Sequence, residues 1–226
     1  MALDKLPVKK LIEFRRLSKT RKVTFANKLK VGKKSTSDGG GGGNYWVRSV
    51  SAISSAFKEN DNSYITDKIE EVTNFYDLNQ RAQTKTMYKR NIDILDKYKD
   101  FDFTLWRPSA DLKFLPKPHS ILEMNGLPVQ ILPNHIFSYG TKNNQSVGAI
   151  WFVIWQDGFK PSDLGIYSET LFRYLSSYLS KNYMINPASC IIVDILSMKS
   201  ISYNEVLNGG VSSLLDDTMK SVKEYL

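Results

Sequence analysis

The spacing of apolar residues changes about halfway along the chain. Between residues 44 and 100, apolar side chains recur every three or four positions, which is the spacing of one face of an α-helix. Three stretches follow this pattern and predict helices that begin near Trp46, Tyr64 and Thr84. The first part of the chain therefore predicts a layer of about three helices.

After residue 118 the period shortens to about two, which is typical of β-strands. Residues 119–139 predict two strands separated by Asn125-Gly126, a dipeptide typical of tight hairpins. Residues 146–156, SVGAIWFVIWQ, are almost wholly apolar, which indicates a strand buried on both faces. The remaining pattern predicts an amphipathic helix, a strand pair and a closing helix, over residues 162–183, 188–203 and 204–226.

This order predicts an α/β (α+β) fold, in which a helical N-terminal layer precedes a mixed sheet flanked by helices. Changes in composition divide the chain into a basic N-terminal arm, a Gly-rich linker, the helical layer and an α/β core, at residues 1–31, 32–43, 44–103 and 104–226. The linker reads GKKSTSDGGGGG, and five consecutive glycines hold neither a helix nor a strand without support.

The order of elements over about residues 84–226 resembles the core of the PD-(D/E)XK nucleases, especially the RecB-like branch, whose fold is restriction-endonuclease-like. In that family an aspartate ends the second core strand, and the third strand carries an acid, a spacer and a lysine. A Gln-x-x-x-Tyr pattern often lies on the following helix. The matching strand positions are Asn134 in LPNHIF, and Ala149 and Trp151 in GAIWF. The helix YSETLFRYL offers Glu169, Arg173 and Tyr174.

The resemblance implies a degenerate active site. The family's carboxylates bind Mg²⁺, and its lysine orients or activates the attacking water. The amide of Asn134 is a poor substitute for a carboxylate, Ala149 cannot coordinate a metal, and the indole of Trp151 is not a base. We therefore expect no phosphodiester hydrolysis, no cofactor and no metal. The alternative is that the hairpin belongs to an unrelated α/β fold.

A catalytic group could also lie elsewhere in the chain. Asp194 is a lone carboxylate in the apolar run IIVDIL, and a buried carboxylate is costly unless it is paired. It is the weak candidate for a catalytic or metal-binding residue if the site has been rearranged.

The positive charge is concentrated at the start of the chain. Residues 1–50 contain thirteen Lys and Arg but three Asp and Glu, and the whole chain carries a net charge of +8. A basic segment of this kind is the usual footprint of phosphate-backbone contact. The candidate nucleic-acid-binding residues are Lys9, Lys10, Arg15, Arg16, Lys19, Arg21 and Lys22. An acidic protein partner is the open alternative.

The cysteine content and hydropathy narrow the class of protein. Cys190 is the single cysteine, which excludes an internal disulfide and a multi-cysteine zinc site, and its apolar neighbours predict a buried thiol. No apolar run approaches the roughly 20 residues of a membrane span. The start of the chain lacks the apolar region of a secretory signal. We expect a cytoplasmic protein.

Three functions remain open at this point. The first is a non-catalytic nuclease-like module that binds nucleic acid through its basic arm, as an accessory to a mobile-element, defence or repair system. The second is a protein-interaction or antitoxin-like regulator whose basic arm wraps an acidic partner. The third is an active metal-dependent nuclease with a rearranged site.

Overall fold

A computed structural model describes residues 3–31, 45–142 and 144–226. Within these ranges the chain forms eight α-helices and two mixed β-sheets, which confirms the predicted α+β class. The predicted Gly-rich linker at residues 32–43 lies outside the described residues. None of the helices in the described ranges has the length and hydropathy that a membrane span requires.

The first half of the chain is mainly helical, and seven of the eight strands found in the described residues lie in the second half. The helices are α1 (Val8–Arg15), α2 (Lys19–Val31), α3 (Val47–Glu59), α4 (Ser63–Leu78), α5 (Ala82–Tyr98), α6 (Pro161–Leu179), α7 (Tyr203–Leu207) and α8 (Leu215–Glu224). The strands are β1 (Leu6–Pro7), β2 (Lys113–Leu115), β3 (Ile121–Met124), β4 (Leu127–Gln130), β5 (His135–Thr141), β6 (Asn144–Val153), β7 (Met184–Asp194) and β8 (Lys199–Ser202).

The larger sheet has the strand order β2-β5-β6-β7-β8. Strands β6 and β7 are parallel and are joined by α6, whereas every other neighbouring pair is antiparallel. A parallel pair requires such a crossover, and the helix covers one face of the sheet. The apolar strand predicted at residues 146–156 is therefore confirmed as the central strand β6.

The hairpin at Asn125-Gly126 is confirmed, but it lies outside the larger sheet. Both residues have positive φ, 50° and 73°, as a tight two-residue turn requires. Strands β3 and β4 pair across this turn and form a small sheet with β1. The first strand of the larger sheet is instead β2. Its three residues lie between prolines, and a segment this short has no detectable period.

The basic N-terminal segment differs from the predicted separate arm because its apolar side chains belong to the core. Leu6 and Val8 are buried beside β4, and Leu11, Ile12 and Phe14 are buried with residues of α6 and α8. Lysines and arginines dominate the composition here and conceal these apolar positions. Residues 3–31 are thus part of the α/β body, with their charged side chains on its outer surface.

The five-stranded sheet has two distinct faces, defined by the alternating side chains of β6. Val147 and Ala149 pack with α1, α6 and α8, on what we call the α6 face. Ile150 and Phe152 pack with α3 and α5, on what we call the α3 face. The thiol of Cys190 is buried in the core, as predicted, and burial raises its pKa.

Candidate functional site

An open cleft of about 820 Å³ lies at the carboxyl end of β6, next to α3. Its lining includes Lys9, Trp46, Lys117, Asn134, Phe152 and Trp155, and we call it the basic cleft. In open α/β sheets, ligands bind outside the carboxyl ends of parallel strands. The cleft occupies this position because β6 is one of the two parallel strands.

Asn134 lies at the base of this cleft, immediately before β5. Its backbone N–H donates to the carbonyl of Ile150 at 3.0 Å. Its side-chain Oδ1 accepts a hydrogen bond from the backbone N–H of Phe152 at 2.8 Å. A backbone N–H can pair only with the amide oxygen, so this bond fixes the orientation of the side chain. Within the described residues, the Nδ2 group of Asn134 forms no hydrogen bond.

Two lysines contribute positive charge to the basic cleft. Lys9 on α1 places its Nζ 5.3 Å from the ring centre of Trp155, and burial lowers its pKa. Lys117 also lines the cleft and is exposed. No salt bridge within the described ranges involves either lysine, and the carboxylate that lines the cleft there is that of the exposed Asp157. The cleft can therefore receive an anion.

His135 lies behind the cleft wall and contacts α3. Its Nε2 is 2.7 Å from Oγ of Ser54 and 3.0 Å from the carbonyl oxygen of the same residue. Its ring stacks on Phe57, and burial lowers its pKa to about 4, so that the imidazole is neutral at pH 7. Because a carbonyl can only accept, Nε2 carries the proton and cannot act as a base toward Ser54. The pair therefore holds α3 against the sheet.

The structure does not bring the three motif positions together. Asn134 lines the cleft beside Phe152, which belongs to the α3 face. Ala149 and Trp151 lie on the α6 face, where the Trp151 ring contacts Tyr167 edge to face at 5.0 Å. The side chains of β6 alternate between the two faces, so Ala149 and Trp151 lie on the face opposite to Phe152, which lines the cleft with Asn134.

The β6 residues that accompany Asn134 in the cleft are Phe152 and Ile154. Both are apolar, so this register supplies neither a metal ligand nor a base. They line the same cleft as Asn134, although the pairing of His135 with Ile150 would place a regular strand residue at position 134 opposite Trp151. The sequence predicts that side chains of β6 alternate between two faces. It does not predict which of the two sets lies in the cleft with Asn134.

Glu169 and Arg173 of α6 form an ion-pair network with Asp216 of α8. Arg173 donates to Glu169 at 2.6 Å and to both carboxylate oxygens of Asp216 at 2.8 Å and 2.6 Å. Ser213 donates to the second oxygen of Glu169 at 2.8 Å. The hydrogen bond from Arg173 lowers the pKa of Asp216. These charges are paired with one another and join α6 to α8.

Tyr174 and Asp194 have local partners as well. The Tyr174 hydroxyl donates to the carbonyl of Pro118 at 3.2 Å. Asp194 is buried at the end of β7, and its two oxygens accept from the N–H of Leu196 at 3.2 Å and from the hydroxyl of Ser197 at 2.7 Å in the turn that follows. These bonds explain the burial of Asp194 as turn structure. The part of the chain that the structure describes contains no group of three or more His, Cys, Asp or Glu placed to hold a metal ion.

The seven candidate nucleic-acid-binding cations divide into engaged and exposed groups. Lys10 pairs with Glu13, and Arg15 and Arg16 reach the buried Asp163 at 3.6 Å and 2.5 Å. Arg16 also stacks over Trp155 at 4.0 Å. Lys22 lies over the ring of Phe14, Lys9 lines the cleft, and Lys19 and Arg21 are exposed on α2. Lys9 thus belongs to the cleft, whereas Lys19 and Arg21 lie on α2 outside its lining.

Comparison of the chain with protein-family models, with curated proteins and with solved structures finds no match. The residues and their geometry are therefore the basis for any functional conclusion.

Proposed function

We propose that this chain is a non-catalytic nuclease-like module that binds nucleic acid. The observation that carries the proposal is the basic cleft: Lys9 and Lys117 in its lining form no salt bridge, and the Nδ2 group of Asn134 forms no hydrogen bond, within the described residues. Phosphate contacts supply most of the affinity of proteins for nucleic acids, and clustered cations provide them.

The order of elements supports the nuclease-like part of the proposal. Helix α5 precedes β2, β5 and β6, which pair in sequence as an antiparallel meander, and α6 and β7 follow. A helix, a three-strand meander, a helix and a strand is the order that the PD-(D/E)XK resemblance implies. The inserted β3–β4 hairpin joins the other sheet and leaves this order intact.

The non-catalytic part rests on the side chains at the site. Metal-dependent phosphodiester hydrolysis requires hard oxygen ligands and a group that activates water. The cleft presents an amide at Asn134 and apolar side chains at Phe152 and Ile154. Asp157 is exposed and lies apart from any ligand cluster within the described ranges. A pair of carboxylates is found neither at the predicted motif positions Ala149 and Trp151 nor at Phe152 and Ile154, the β6-side residues that line the cleft with Asn134.

The contacts of α1 and α2 narrow the set of cations that we expect to touch phosphate. Arg15 and Arg16 are held by Asp163, so we assign them mainly to packing α1 against α6. Lys19 and Arg21 are exposed on α2 and can approach a nucleic-acid backbone. Together with the cleft lysines they are the cations that we expect to contact phosphate, and we propose that this binding takes place in the cytoplasm.

The test is a titration of fluorescent single-stranded and duplex oligonucleotides at several salt concentrations, in EDTA. Each single-strand phosphate contact contributes about 0.7 to the slope of log K against log salt. We expect Lys19→Gln combined with Arg21→Gln to lower this slope by that amount for each phosphate that the variant no longer touches. The matched control, Lys97→Gln with Lys99→Gln at the exposed end of α5, should leave it unchanged.

Two results would contradict the proposed function. Affinity that does not change with salt, or no binding at all, would favour the alternative of a protein partner. Cleavage of the oligonucleotide by the pure protein with Mg²⁺ or Mn²⁺ would favour an active nuclease, and Asp194→Asn would then be the first variant to examine.

A further inference from the structure

We infer that the basic cleft binds a phosphate oxygen directly, through the Nδ2 group of Asn134, without a bridging metal ion. This inference rests on the proposed function and specifies the chemistry of the contact. It gives Asn134 the opposite role to a metal-binding carboxylate, because the residue presents a donor to the cleft in place of an acceptor.

The fixed orientation of Asn134 is the first support. Its oxygen is occupied by the backbone N–H of Phe152 at 2.8 Å. The amide group has two N–H donors, and neither has a hydrogen-bond partner within the described residues, so both are available to a ligand in the cleft that Asn134 lines. A phosphate oxygen needs such a donor, whereas a metal ion needs an oxygen. Because the hydrogen bond to β6 already occupies one lone pair of the Asn134 oxygen, this arrangement favours an anion.

The surrounding charges favour the same ligand. Lys9 is partly withdrawn from water, which lowers its pKa, and it has no salt-bridge partner within the described residues. Glu13 and Asp157 attract this ammonium group without forming a salt bridge, and an anion in the cleft would contact it directly. Lys117 adds a second positive charge across the lining, and Asp157, the carboxylate there, is exposed to solvent. The two lysines outweigh the single acid.

The decisive experiment changes Asn134 to its isosteric acid. In Asn134→Asp one carboxylate oxygen still accepts from Phe152, while the other places negative charge where the donor was. A hydrogen bond to a charged group contributes about 1.5 to 3 kcal/mol, and 1.4 kcal/mol corresponds to a factor of ten. We therefore expect affinity for a single-stranded oligonucleotide in EDTA to fall about tenfold or more. Asn74→Asp, on the exposed surface of α4, has the same change of charge and should bind like the wild type.

Repeating the binding titrations with Mg²⁺ tests whether a metal ion takes part in the contact. Mg²⁺ should restore part of the affinity of Asn134→Asp, because a carboxylate and a phosphate can share the ion, and should not raise the affinity of the wild type. Equal binding by Asn134→Asp and Asn74→Asp, or a wild type that needs Mg²⁺ to bind, would overturn the inference. If Asn134→Asp and Asn74→Asp bind equally while the wild type still shows salt-dependent binding, the proposed function is retained and only the inference about Asn134 fails.

A second variant keeps the inference testable if Asn134→Asp does not fold. Lys117 is exposed, so Lys117→Gln should fold normally. It should weaken oligonucleotide binding several-fold more than Lys97→Gln, which removes the same charge at a distance. Equal effects of the two variants would contradict a phosphate contact in the cleft.

Inorganic phosphate alone distinguishes a nucleic-acid strand from a free anion. If a nucleic-acid strand is the ligand, inorganic phosphate should not change the melting temperature of either the wild type or Asn134→Asp. Oligonucleotide binding should still depend on Asn134. If the cleft takes free phosphate, the wild type alone should be stabilised. Equal stabilisation of both proteins, with equal oligonucleotide binding, would contradict the site.

Discussion

Two polar clusters on this fold, the α6–α8 network and the basic cleft, differ in how their charges are satisfied. In the network, Arg173 lies between Glu169 and Asp216 and contacts both. In the cleft, Lys9 and Lys117 form no salt bridge within the described residues, and Asp157, the acid of the lining there, is exposed. Paired charges hold elements together, whereas unpaired donors gathered in a concave site are available to a ligand.

The two faces of the sheet show the same difference. The α6 face is closed by apolar packing, and its charged residues lie at the margin in mutual contact. The α3 face is apolar in its centre but opens into the cleft at the carboxyl end of β6. Residues of one strand therefore divide into structural and functional groups according to the face on which they lie.

The largest expected effect is on stability, and it should differ between Trp151 in β6 and Trp155 shortly after this strand. Trp151→Ala on the α6 face should lower the free energy of unfolding by about 3 kcal/mol, since it removes a large side chain packed against Tyr167. Trp155→Ala, at the cleft, should cost less stability and weaken oligonucleotide binding. Urea denaturation and binding titrations of both variants measure the contrast. A Trp151→Ala protein with unchanged stability and abolished binding would reverse the assignment of the faces.

Removal of the central arginine of the network should have a comparable but smaller effect. Arg173→Ala leaves Glu169, whose side chain is 5% exposed, without its cation. Breaking a buried pair costs about 3 kcal/mol, and the partial exposure of Arg173 reduces this value. Arg21→Ala, on the exposed surface of α2, is the control for stability and should change it little. Arg173→Ala should bind oligonucleotides normally, and a specific loss of binding would place the network in the functional site.

A third prediction concerns the pH dependence of stability through His135. Its pKa in the folded protein is about 4, below the ordinary value of 6.5, because burial disfavours the charged imidazole. The unfolded chain therefore takes up the proton first as the pH falls. The stabilising contribution is complete above pH 6.5 and is lost between pH 6.5 and pH 4. Linkage gives a loss of about 1 to 2 kcal/mol after allowance for partial solvent screening.

Urea midpoints at pH 7 and pH 4.5 measure this loss. His135→Gln should reduce the difference between the two midpoints, because an amide can still donate to Ser54 but does not titrate in this range. His119→Gln, at an exposed position, should behave like the wild type. An unchanged difference in His135→Gln would mean that other groups cause the acid sensitivity.

The sequence predicts local elements of this protein better than their arrangement. The three helices after residue 44, the Asn125-Gly126 turn and the apolar strand β6 are all found, because each depends on spacing within a short segment. The incorporation of α1 into the core was missed, since Leu11 and Phe14 stand among cations that dominate the composition.

The candidate site depends on contacts between residues distant in sequence. The hydrogen bond from Phe152 to Asn134 spans 18 positions, and the two residues meet only in the folded cleft. Alternation along a strand defines two faces but not which one carries the site, so Ala149 and Trp151 could not be separated from Asn134 beforehand. The partner of Arg173, Asp216, lies 43 positions away and has no local signature.

The most direct test of the central claim is to locate bound nucleic acid on the protein. An oligonucleotide with a photoreactive thymidine analogue would be cross-linked to the full chain in EDTA, and the modified peptides identified by mass spectrometry. We predict cross-links to peptides that contain Trp155, Lys9 and Lys117, suppressed by unlabelled competitor and reduced in Asn134→Asp. Cross-links confined to α4 and α5, or cleft cross-links that Asn134→Asp does not change, would contradict the account.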